Sequence, residues 1–103
     1  MATGTIKSNT LKYVGSGTTV NISNIKASEF VVIANYNDTF VYSITIPSAE
    51  LASGSRRFFN GYGYQSNTNL VSVSATSTAI TLNEFTRDGN NVTSSATIAV
   101  YYR

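Results

Sequence analysis

The sequence predicts an all-β fold: an antiparallel sandwich of jelly-roll type with seven or eight short strands and at most one helical turn. Three observations carry this expectation. No segment places apolar residues at i, i+3, i+4 and i+7 over the roughly 11 residues that an amphipathic helix needs. β-Branched and aromatic residues instead alternate in short runs, the period-2 pattern of a half-buried strand. The runs are separated by Gly, Asn, Asp and Ser at the close spacing of a sandwich.

Taken in order, Thr18 to Ser23 places Val20 and Ile22 on one face. Glu29 to Tyr36 is richer, with Phe30, Val32, Ala34 and Tyr36 opposing Val31, Ile33 and Asn35, and reads as a strand buried on both faces. Asn37-Asp38 tolerates positive φ, and Phe40, Tyr42, Ile44 and Ile46 alternate beyond it, so Glu29 to Ile46 is expected to form a hairpin. Pro47 ends the second arm because it has no N–H to donate, and Ser48-Ala49-Glu50-Leu51 is expected to close one helical turn. Arg56 to Gln65 is aromatic enough for a strand, but Gly61 and Gly63 interrupt it and imply a bulge or a close backbone approach. Leu70 to Ser74 and Thr78 to Leu82 flank Ala75-Thr76-Ser77 as a second hairpin. Ala96 to Tyr102 forms a terminal strand after the Asp88-Gly89-Asn90-Asn91 turn.

The chain has 103 residues, room for one domain over 1–103, and shows no repeat or linker. Ser, Thr and Asn supply 14, 14 and 11 residues while only 12% are charged, so the surface is polar but nearly neutral. With 42% hydrophobic residues there is enough for a core. The absence of Cys and His removes disulfides, thiolate or imidazole metal sites, cysteine nucleophiles and the Ser-His-Asp triad; no catalytic residue, metal site or cofactor is expected. A net charge of +2 cannot supply the basic stripe of a nucleic-acid binder. No apolar run approaches the about 20 residues of a membrane span, and Met1 to Lys12 lacks the apolar segment of a secretory signal. The expectation is a protein made in the cytoplasm that neither inserts into membranes nor binds nucleic acid. A domain of this size buries only about 60 to 65% of its unfolded surface, so an oligomer is expected to add stability.

Among the five carboxylates only Glu84 and Asp88 lie near each other in sequence, at a strand end and a turn. A glycosidase pair and a calcium site both need more convergent oxygens than these offer. Asn21, Asn37 and Asn91 begin N-x-S/T triplets, read here as strand and turn residues. The candidate ligand-binding residues are Arg56, Arg57, Asn60, Tyr62, Tyr64 and Gln65. Tyrosine rings beside amide and guanidinium groups suit the mixed apolar and polar surface of a sugar. In the recognition reading the glycines leave Tyr62 and Tyr64 on an irregular loop. The competing reading makes Phe58 and a tyrosine core residues and pairs an arginine with Glu50 or with a neighbouring subunit.

Three stretches, Tyr36 to Pro47, Arg57 to Tyr64 and Gly89 to Arg103 with its terminal Val-Tyr-Tyr-Arg, resemble the C-terminal domains of phage tail-fibre and collagen-like structural proteins from phages and prophages of gut bacteria. The likeness covers roughly residues 29 to 103. It implies a homotrimeric β-rich head in the virion, made in the host cytoplasm, that contacts other virion proteins and a bacterial surface polysaccharide. Gly-X-Y repeats and heptads are absent, so the chain reads either as an excised fibre tip or as a free-standing virion protein. The function expected from this resemblance is a non-catalytic receptor-binding tip that holds a surface glycan. The alternatives are a structural virion subunit, either head decoration or tail accessory, and a glycan depolymerase.

Overall fold

A computed structural model describes residues 10–63 and 68–103. Its strands are β1 (Lys12–Gly17), β2 (Thr19–Asn21), β3 (Glu29–Tyr36), β4 (Phe40–Pro47), β5 (Arg56–Tyr62), β6 (Asn69–Ala75), β7 (Ala79–Arg87), β8 (Asn90–Asn91) and β9 (Ala96–Tyr102). They form two antiparallel sheets, ordered β1-β9-β3-β4 and β2-β7-β6-β5, with β8 also paired to β7. The architecture is all-β, and its two sheets enclose one apolar layer.

The best alternating runs make the most regular elements. Strand β3 pairs with β4 from Glu29↔Pro47 to Tyr36↔Phe40 without a break, and with β9 on its other side. Asn37 and Asp38 hold φ of 57° and 54°, and Thr39 N–H donates to Tyr36 O at 3.3 Å, which is the type I′ geometry whose twist matches the flanking strands. Asp88-Gly89 makes a second such turn, with φ of 50° and 79° between the paired residues Arg87 and Asn90. At the β6–β7 turn, Thr76 Oγ1 accepts from the N–H groups of Thr78 and Ala79, each at 3.2 Å, satisfying donors that the ladder leaves over.

The inward residues of both sheets meet as Phe30, Val32, Ala34, Ile44 and Ile46 against Val71, Val73, Ile80, Leu82 and Phe85. Each fully buried aliphatic or aromatic side chain of this kind contributes about 1.5–3 kcal/mol through removal from water. Phe85 is the largest fully buried side chain. The Tyr36 and Tyr42 rings lie 5.8 and 5.6 Å from it in tilted arrangements, within the range that favours aromatic pairs.

Three expectations require correction. Nine strands form among the described residues, not seven or eight: β1 carries Gly15 and Gly17, which weaken its strand signal, and the two-residue β8 arises only because the Asp88-Gly89 turn folds it back on β7. A second 3₁₀ turn, Thr93–Ser95, joins the expected turn at Ser48–Leu51; Asn91 Oδ1 accepts from Thr93 N–H at 3.0 Å and tightens the chain there. Arg56 to Tyr62 is a regular strand and not an irregular loop, paired residue for residue from Arg56↔Ala75 to Tyr62↔Asn69. Its Gly61 answers a close approach. An ideal Cβ there would lie 2.1 Å from Asn69 O, and φ is +125°.

Candidate functional site

Among the described residues strand β5 ends the second sheet, hydrogen-bonded to β6 alone, and almost all of its residues are exposed. Alternation divides it. Phe58 packs against the core, so Arg56, Asn60 and Tyr62 share its parity, whereas Arg57 and Phe59 point to the outer face of the sheet. Phe59 and Tyr62 are 59% and 66% exposed, an unusual expenditure of aromatic surface in a small domain.

The structure sorts the six candidate residues. Arg56 faces Glu50 at 3.8 Å and donates to Ser53 Oγ at 3.1 Å; both charged side chains are half exposed, so the pair contributes about 0–1 kcal/mol. That contact ties the start of β5 to the turn before it, as the competing reading expected. Asn60 Nδ2 donates to Ser43 O at 2.8 Å. It thereby caps a carbonyl of edge strand β4 and joins the open sides of the two sheets, a structural task. Arg57 and Tyr62 remain exposed on the strand. Tyr64 and Gln65 lie outside the described residues. Phe59 is the recognition candidate that the sequence argument passed over, although strand parity would have found it: if Phe58 is core, its neighbour must face outward.

The carboxylates serve local structure. Glu84 Oε2 accepts from Thr86 Oγ1 at 2.7 Å, and Asp88 occupies the positive-φ turn. No three acidic, His or Cys side chains converge among the described residues. Two of the N-x-S/T triplets form side-chain turns, in which Asn21 Oδ1 accepts from Ser23 N–H at 2.8 Å and Asn91 Oδ1 from Thr93 N–H.

The outer face of the first sheet carries a second exposed feature. Tyr13 on β1, 59% exposed, meets Tyr101 on β9 edge to face at 5.5 Å. Val31 on β3, next to Tyr101, is already buried, while Val41 on β4 is exposed farther along the same face. No helix among the described residues is long and apolar enough to cross a membrane. Comparison with protein-family models, curated proteins and solved structures finds no match to this chain.

Proposed function

We propose that this chain is a non-catalytic recognition domain of the receptor-binding type found at phage fibre tips, and that it holds a bacterial surface glycan through strand β5. The observation that carries the reading is the exposed Phe59 ring beside Arg57 on the outer face of a strand whose backbone is fixed by seven consecutive pairings, with a second exposed ring, Tyr62, on the opposite parity at the strand's end. A rigid strand presents a ring with little entropy left to lose, and an aromatic face covers the apolar face of a sugar while Arg57 supplies donors. The nested pairing of β1 with β9 in one sheet and β2 with β7 in the other supports a jelly-roll winding of the outer strands. A glycan array of host envelope polysaccharides tests the proposal. Selective retention that Phe59→Ala abolishes supports it, and retention of no glycan defeats it.

The exposed Tyr13, packed on Tyr101, and the exposed Val41 on the same face favour a second role in the same virion setting, as a face that packs against other copies or other virion proteins. On this reading the protein is a homotrimer. Light scattering at micromolar concentration should give about three times the 11.1 kDa of one chain. A monodisperse species of one chain mass would eliminate the trimer.

A further inference from the structure

The two ends of the sandwich are closed differently, and one of them is open to a ligand. Where the chain leaves β2 and enters β3, the core reaches the surface as a cavity of about 340 Å³ whose apolar wall includes Ile22, Ile25, Phe30 and Leu51. Ser48 also borders it, with a buried hydroxyl that has no hydrogen-bond partner among the described residues. Such an atom calls for an explanation in a folded protein. Lys26 stands in the cavity wall and also in the wall of an adjoining polar groove formed with Lys12, Glu29 and Arg103.

The charges in that groove are unbalanced. Arg103 is paired with Glu29, Lys12 lies 5.9 Å from the centre of the Tyr102 ring, and neither Lys12 nor Lys26 forms an ion pair among the described residues. Three cations against one carboxylate give this one end a side-chain charge of +2, equal to that of the whole chain. An apolar cavity joined through a lysine to a cationic groove is complementary to one kind of molecule: an apolar tail that carries an anionic head.

We infer that this end binds a small amphipathic anion, with an acyl-like segment in the cavity and a phosphate or carboxylate between Lys26 and Lys12. At about 30 Å³ per methylene, the share of a water molecule, the cavity of about 340 Å³ has room for roughly eleven methylenes, more than an eight-carbon chain needs. The site lies at the end of the sandwich opposite Tyr62, so it stands or falls independently of glycan binding by β5.

Monooctyl phosphate, kept below its micellar concentration, is the probe, with 1-octanol and inorganic phosphate as its two halves. Each is titrated into the isotopically labelled chain and followed by amide chemical shifts. The expected result is saturable one-to-one binding of octyl phosphate, with shifts confined to Ile22 to Phe30, Ser48 to Ala52, the Lys12 end of β1 and the Tyr102 end of β9. Octanol should bind roughly tenfold more weakly for want of the lysine contacts. Phosphate should bind on the order of a hundredfold more weakly for want of the buried chain. Lys26→Gln, at an exposed position, should weaken octyl phosphate roughly threefold and octanol by less. Equal affinity for octanol and octyl phosphate would overturn the inference, as would equal affinity for phosphate and octyl phosphate. Shifts centred on β5 or on the Tyr13 face, or a titration that does not saturate, would overturn it too.

Discussion

The end of the sandwich that holds the β3–β4 turn is sealed, while the end that holds Lys26 is not. At the sealed end Tyr36 and Tyr42 surround Phe85, Phe40 stacks beside Tyr36 at 6.3 Å, and the Arg87 guanidinium lies 3.5 Å from the centre of the Phe40 ring. Tyr36, Phe40, Tyr42 and Phe85 each have a ring partner there, and the Arg87 guanidinium covers the Phe40 face, although its buried Nε has no hydrogen-bond partner among the described residues. At the other end Ile22, Ile25, Phe30 and Leu51 border a cavity, and Lys12 and Lys26 have no acidic partner among the described residues. The same apolar layer runs to both ends, so the difference comes from side-chain volume and charge placement and not from backbone topology. It teaches that the core is finished unevenly, by aromatic contacts at one end and by an open cavity wall at the other.

The largest way to break that contrast is Phe85→Ala. Removing a fully buried ring with two aromatic neighbours should cost about 3–5 kcal/mol in urea denaturation, and a loss below about 1 kcal/mol would show that the aromatic contacts at the sealed end carry little stability. Gly61→Ala comes next. The left-handed φ and the collision with Asn69 O should together cost about 1–3 kcal/mol or more, read as a fall in melting temperature together with loss of amide protection along β5. Arg87→Met keeps much of the stem and removes the cation from the Phe40 ring, with an expected loss of about 0.5–2 kcal/mol. At the open end Lys26→Gln should change stability by less than about 0.5 kcal/mol, because an exposed lysine without an ion-pair partner contributes little to folding. Equal losses for Arg87→Met and Lys26→Gln would erase the distinction between the ends.

The sequence made the sealed end far easier to read than the open one. Phe30 to Tyr36 and Phe40 to Ile46 alternate strictly around Asn37-Asp38, and Ala96 to Tyr102 does the same, so element, face and turn could all be read from period and turn chemistry. Even there β3 is only partly buried on its second face: Val31 is buried, but Ile33 and Asn35 are intermediate. Strand β1 escaped notice because its glycines dilute the pattern and its register shifts between Tyr13 and Gly15. Arg56 to Tyr62 is legible as an aromatic strand with a close backbone approach, which Gly61 makes against Asn69 O, and only the irregular loop expected at Tyr62 gives way to a paired strand end. The cationic end could not be read at all. Lys12, Lys26 and Arg103 are distant in sequence, and only the antiparallel pairing of β1 with β9 and of β9 with β3 brings their strand ends together.

The central claim is that β5 spends its aromatic rings on recognition and not on folding, and Tyr62→Ala tests it most directly when melting and glycan binding are measured on the same preparation. A ring that is 66% exposed on an edge strand should leave stability within about 0.5 kcal/mol of the native chain, while affinity for the retained glycan falls by about 1 to 3 kcal/mol. A variant that melts several degrees lower and binds as the native chain does would contradict the account, making Tyr62 a structural residue and β5 an ordinary edge.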